Sequence, residues 1–435
     1  MEYTIYFLIL IIYQIKCNLV IIPFIIKEIP GESIQKYIYT SFEMGYPEQK
    51  IDSIIDFQNS KYFMIYNYSI TRNSTFNISL SKTFSKISND ISITESNTSY
   101  LASDDFYFYS DINCQNKKKY ESLPILFPNG KKTSLSPIIG LQIEKENKSL
   151  NFINILKSKN IITNYFWSIK FKNINEGIIV VGDLPHNYDK NNYEEKNLHF
   201  INTYSVKNKI YWGIHISSIK FSGLTISDNM PGRIEPKILE IIGSYEYIIS
   251  IEKLFFQNYI DNNKICRRIW DIIEGEEIFR FICEKDKFNK TDIDEFPPLT
   301  LINVEMNYSF IFYGKELFQE KEDKIIFQIV AKNGRTDGEW ILGRIFLSKY
   351  QVIFDNENNL VGLYKINNEN TQNGNKNKNL NLFIILIILI IILLFLIGSF
   401  IYIIYTKKLI CKSRKKRFPE LDDGFEYVPK GEINN

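Results

Sequence analysis

The sequence predicts an all-β, two-lobed globular region followed by one C-terminal transmembrane helix. Three observations predict it. The stretch Glu339 to Tyr364 breaks into short runs rich in Ile, Val, Phe and Tyr, split by the polar turn Asp355-Asn356-Glu357-Asn358-Asn359. That composition and punctuation favour strands and a hairpin. A coarse internal repeat places an apolar strand and a carboxylate ahead of an apolar-apolar-Gly run in each half: Asp56 ahead of Ile138-Ile139-Gly140, and Glu240 ahead of Ile341-Leu342-Gly343. Finally, Leu382 to Tyr405 carries no charge. As a helix it reaches on the order of 36 Å, enough to cross a bilayer.

The chain has 435 residues, 45% of them apolar and 15% aromatic, which is enough to bury a sizeable core in each of two lobes. A net charge of +2 gives no electrostatic footprint for nucleic acid. The Zn-hydrolase HExxH, the CxxC, the nucleophile elbow and the phosphate-binding glycine loops are all missing, and the three histidines are scattered. No metal site or cofactor is therefore expected.

In chain order, residues 1–17 read as a signal peptide, because Tyr3 to Tyr13 is apolar and uncharged but too short to span comfortably. Residues 18–200 form the expected N-terminal β lobe. Within it, β-prone runs at Tyr37-Ile38-Tyr39-Thr40 and Ile51 to Ile55 flank the turn Gly45-Tyr46-Pro47-Glu48-Gln49. An amphipathic helix is expected near 149–159, and strands at Trp167 to Phe171 and Gly177 to Val181. Residues 201–366 are the expected C-terminal β lobe, opening on Tyr211-Trp212-Gly213-Ile214 and Ile216 to Phe221. Within that lobe the apolar segment Ile345 to Phe354 is expected to be extended. An Asn-rich linker, 367–381, precedes the transmembrane helix 382–405 and a tail, 406–435.

Lys407, Lys408, Lys412, Arg414, Lys415, Lys416 and Arg417 follow the apolar run, whereas its other flank carries only Lys376 and Lys378 nearby. The positive-inside rule puts the tail in the cytoplasm and the lobes in the secretory lumen or outside the cell, a single-pass type I arrangement. Sequons at Asn67, Asn73, Asn77, Asn97, Asn147, Asn289 and Asn307 are acceptors suited to such a location. Of five cysteines, Cys17 lies in the leader and Cys411 beyond the span. In an oxidising compartment Cys266 and Cys283 are the expected disulfide, closing a loop worth about 3 kcal/mol in the chain-entropy account. Cys114 is left over, either as a small buried hydrophobe or as a thiol open to pairing between molecules.

The motifs resemble pepsin-like aspartic peptidases. In that family a W-I-L-G strand is followed by F-L-x-x-Y, F-D and V-G-L, as it is here from Trp340 to Leu363. A Gly-x-Pro-x-Gln turn precedes the strand carrying the first catalytic Asp, which matches Asp56, and the resemblance covers most of residues 30–365. It implies a bilobal pepsin-like fold with one carboxylate from each lobe, Asp56 and Glu240, facing a cleft between the lobes. In such a dyad two carboxylates share one proton, so that one acts as acid and the other as base on a water molecule.

The same comparison shows how much of the family's chemistry is missing. Each family Asp is followed by Thr or Ser and then Gly, but Phe57 and Gln58 follow Asp56, and Ile241 and Ile242 follow Glu240. A Glu reaches one methylene too far, and a misplacement of order 1 Å costs on the order of 100-fold in rate. The tyrosine that the family carries on a hairpin over the substrate is missing: aligning back from Tyr100-Leu101-Ala102-Ser103-Asp104 puts Ser92 near its place, and no Tyr lies between Phe84 and Ser99. The expectation is a membrane-anchored pseudopeptidase that holds a peptide or protein segment in its cleft. The alternative is an active aspartic-type endopeptidase of the secretory pathway with an Asp/Glu pair.

Overall fold

The computed structural model describes residues 19–28, 36–57, 63–64, 76–88, 91–94, 97–128, 137–141, 151–206, 209–262, 264–273, 276–332, 339–366 and 398. The expected signal peptide, linker and tail lie outside them, as do Asn67, Asn73 and Asn147 and, apart from residue 398, the expected membrane span. Among the described residues no helix is long and apolar enough to cross a membrane.

Two mixed β-sheets hold the chain from Val20 to Tyr364. In the first half, Lys36–Met44 and Gln49–Asp56 form the expected hairpin, with Ser41 opposite Asp52. Its turn passes through Gly45 at φ +81°, where a Cβ would also sit 2.7 Å from the Ser81 hydroxyl. Gln49–Asp56 then pairs in parallel with Ile138–Gly140, setting Ile55 against Ile139 and Asp56 against Gly140. Phe63–Met64 closes this knot by pairing antiparallel with the same strand. The hairpin of Ile91–Thr94 with Asn97–Tyr109 stands beyond it.

The second half repeats the arrangement. Gly213–Phe221 and Leu224–Ile234 form the hairpin, and the latter pairs in parallel with Trp340–Leu342. Ile241–Gly243 returns antiparallel against that strand and lies parallel to Ile329–Lys332. Cys266–Ile273 and Glu276–Glu284 form the hairpin corresponding to that of Ile91–Thr94. Cys266 and Cys283 are directly opposite in it and are bonded, as the sequence predicts.

A third group of strands joins the halves. Val20–Glu28 pairs with Glu176–Val181, which pairs with Phe166–Asn173. Phe166–Asn173 pairs with Val352–Asp355 from the end of the chain, and Leu198–Asn202 pairs with Leu360–Tyr364. A boundary at residue 200 therefore does not separate the sheets, because the last two strands are hydrogen-bonded to partners from the first half. Burial drives this: Trp167 stacks on Phe354 with ring centroids 3.9 Å apart, and Trp212 meets Phe354 edge-on at 5.1 Å.

One element differs in type from its expectation. Arg344–Lys349 is a helix, and only Val352–Asp355 of the apolar segment Ile345 to Phe354 is a strand. Arg344, Ile345, Phe346 and Leu347 are all buried, and Phe346 meets Tyr350 one helical turn on at 5.3 Å. A run this short carries too little periodicity to tell helix from strand, so its surroundings decide its conformation. The expected helix near 149–159 is present as Phe152–Ser158, capped by the Asn151 side chain on the Ile153 amide.

Candidate active site

Asp56 ends the Gln49–Asp56 strand, beside the crossing with Ile138–Gly140, with its side chain 14% exposed. The residue after it, Phe57, turns into the core and packs on Trp167 with centroids 5.5 Å apart. A buried ring thus occupies the place of a hydroxyl that would join the two loops. Gln58 lies outside the described residues.

The strand registers identify the partner position. Ile54 and Ile55 face Ile138 and Ile139, and Asp56 faces Gly140. In the second half Arg233 and Ile234 face Ile341 and Leu342, which leaves the next residue, Glu235, against Gly343. The Glu235 amide donates to the Leu342 carbonyl at 3.0 Å, continuing the ladder. Glu235, buried at 5% exposure, therefore occupies the position related to Asp56 by the internal repeat. The sequence-based pairing of Asp56 with Glu240 is displaced by one loop. In that loop Pro236 takes the place of the hydroxyl residue and Lys237 the place of the glycine.

Lys237 reaches into the site. Its Nζ lies 3.9 Å from Asp56 Oδ1, and its side chain is only 15% exposed. Its amide donates to Glu235 Oε1 at 3.4 Å. Where a glycine would let backbone amides approach the carboxylates, this chain brings an ammonium from the second lobe to the acid of the first. A dyad requires two like charges that compel one another to share a proton. Here a charge of opposite sign, the Lys237 ammonium, stands 3.9 Å from Asp56.

Glu240 has a different role. It is 7% exposed, and its Oε1 accepts from Arg280 at 3.1 Å, while Arg280 also lies 3.6 Å from Asp271. Its charge also supports Arg344, whose guanidinium is shifted down to about 10, chiefly by burial. Arg344 donates to the Ile174 carbonyl at 2.6 Å and to Asn175 Oδ1 at 2.9 Å. Glu240 is thus part of the charge network that fixes this helix start against the turn between two strands of the first half. Ser244, just past the strand Ile241–Gly243, caps the helix Tyr245–Ile251 by accepting from the Tyr247 amide at 3.3 Å.

The hairpin over the first lobe is present where the sequence places it, with Ser92 opposite Thr98. Among the remaining expected residues, Asn77, Asn289 and Asn307 are exposed, while only the backbone of Asn97 is described. Asn77 Oδ1 accepts from the Ser79 amide and Asn289 Oδ1 from the Thr291 amide, so both side chains stand at the start of short helical turns. Cys114 is half-buried, and desolvation raises its thiol. It packs beside the small cluster of Leu19, Ile21, Ile178 and Val180.

Two β lobes, each ending a strand in a carboxylate at the same crossing, define the aspartic-peptidase architecture. A sequence profile described as eukaryotic aspartyl protease matches residues 36–366, and the chain belongs to that family. Among solved structures, it is similar to conglutin gamma, described as a unique basic 7S globulin from lupine seeds. The TM-score is 0.57 at 14% identity, covering 81% of this chain and 96% of that one. It is also similar to basic 7S globulin from soybean, with a TM-score of 0.54 at 12% identity, covering 81% and 98%. At these identities the likeness concerns the fold alone. Comparison with curated protein sequences finds no match.

Proposed function

We propose that this chain is a type I membrane protein whose pepsin-like region, held in the secretory lumen or outside the cell, binds a peptide or protein segment without cleaving it. One observation carries the reading. Lys237 stands at the position of the second active-site glycine, with its ammonium 3.9 Å from Asp56. An ammonium beside Asp56 favours its ionised form and so opposes the sharing of one proton between two carboxylates. Phe57 and Pro236 remove the hydroxyls that would hold the two loops, and the hairpin brings no tyrosine. A cleft between β lobes still suits an extended segment, which binds through backbone hydrogen bonds and alternating side-chain pockets. The uncharged run 382–405 with its basic flank supports the anchoring and its orientation.

The alternative, an active membrane-anchored aspartic-type endopeptidase, has in its favour that both related positions keep a carboxylate, Asp56 and Glu235. The deciding experiment is a cleavage assay on the purified full chain in detergent. A mixed peptide library is incubated from about pH 3 to 7, the range in which carboxylate dyads work, with Asp56→Ala in parallel. No cleavage by either protein is expected. Cleavage that disappears in Asp56→Ala overturns the reading.

A further inference from the structure

A cavity lies in the first half of the chain, with neither Asp56 nor Glu235 in its lining. The strands Val20–Glu28 and Lys36–Met44 pair only from Glu28↔Lys36 to Ile25↔Tyr39 and then separate. Asn97–Tyr109 bridges the widening gap, meeting one strand at Ile21↔Tyr109 and the other at Glu43↔Tyr107. The wedge between them is a cavity of about 440 Å³. That is within the range of sites for small organic ligands. Phe24, Ile25 and Phe42 supply its apolar surface. Ile25 is 47% exposed.

Its polar groups are unbalanced. Lys27, Lys50, Lys117 and Lys172 line it together with Glu43, Asp52 and Glu176. The three acids are engaged within the protein: Glu43 with Lys117, Asp52 with the Ser41 hydroxyl, and Glu176 with the Asn173 amide. Lys27, Lys50 and Lys172 have no carboxylate at ion-pair distance among the described residues, and Lys27 lies over the Tyr39 ring at 4.6 Å. Thr40, also in the lining, is 4% exposed, and its hydroxyl has no hydrogen-bond partner among the described residues.

We infer that this wedge is a binding site for a small organic anion with an apolar body, a carboxylate being the simplest case. The anionic group sits among Lys27, Lys50 and Lys172. The body covers Phe24, Ile25 and Phe42. The site is independent of the cleft and of whether the chain cleaves peptides.

The test is calorimetric titration of the full chain with 4-phenylbutyrate, using 4-phenylbutylamine as the probe of equal body and opposite charge. Saturable binding of the acid is expected, at least tenfold tighter than the amine. Lys27→Gln/Lys172→Gln should weaken the acid at least tenfold, as expected for losing charge-assisted contacts. Equal binding of acid and amine overturns the assignment. So does unchanged affinity in the double lysine variant, or no saturable binding of the acid to the wild-type chain.

Discussion

The ammonium of Lys237, from the second lobe, lies 3.9 Å from Oδ1 of Asp56, at the strand end of the first. Both side chains are mostly buried, so the contact is less screened than a surface pair. Lys237→Met should destabilise the protein by about 1–2 kcal/mol, below the cost of breaking a tight buried pair because the separation is long. Asp56→Asn together with Lys237→Met should recover most of that loss. Urea midpoints at neutral pH measure the coupling, and strictly additive effects would show that the two groups do not interact.

Glu240 should matter for stability and not for the cleft. Its bond to Arg280 joins side chains only 10% and 9% exposed. Glu240→Gln leaves Arg280 and Arg344 short of counter-charge and should cost about 3 kcal/mol. Binding of any cleft ligand by the folded fraction should be unchanged. A Glu240→Gln protein of wild-type stability would remove the network described for it.

Gly343 is required by close approach of backbone. Its φ is −81°, open to any residue, but a Cβ would stand 2.1 Å from the Glu240 carbonyl oxygen and 2.6 Å from that of Ile238. Gly343→Ala should cost about 3 kcal/mol, the upper range for overpacking. Gly223 offers the contrast: its φ is +77° with open space around it, so Gly223→Ala should cost about 1 kcal/mol from backbone strain alone. Equal losses in thermal melts would contradict the distinction.

The disulfide between Cys266 and Cys283, 17 residues apart, should contribute about 3 kcal/mol through restriction of the unfolded chain. Cys266→Ala/Cys283→Ala should unfold at correspondingly lower denaturant. A reducing agent should lower the wild-type midpoint to that of the variant and leave the variant unmoved.

Buried tyrosines should make alkaline unfolding steep. Desolvation pushes Tyr120 and Tyr193 up to about 12 and Tyr247 well above its ordinary value. In the unfolded chain each titrates near 10. Their stabilisation is therefore complete below about pH 10 and is lost as pH rises towards about 12. Arg344 acts with the opposite sign: its lowered value is a cost at neutral pH that is relieved above about 10, but it is a single group. Tyrosinate absorbance should rise together with loss of far-ultraviolet dichroism. Gradual ionisation with the fold intact would refute the burial of these rings as the cause.

Much of this was legible in one dimension because it rests on local chemistry. The closing run from Trp340 to Tyr364, the Gly45 turn, the carboxylate Asp56 and the pairing of Cys266 with Cys283 each stand in short patterns that constrain their own neighbourhood. The missing hydroxyls, glycine and tyrosine are likewise statements about residue types. What the sequence obscured was which second carboxylate answers Asp56. Ile238 to Gly243 reads as an apolar strand around Glu240, whereas the true counterpart strand, Leu224–Ile234, contains Pro231 and Gly232, which make it look like a loop. Its strand identity comes from pairing with Gly213–Phe221 and with Trp340–Leu342, the latter more than a hundred residues away in the chain. Tertiary pairing alone places Glu235 at the crossing, sends Glu240 to Arg280, and brings Lys237 across to Asp56. Local composition sets which segments are extended and apolar; the register between distant strands decides which charges meet, because a ladder fixes position to the residue while propensity does not.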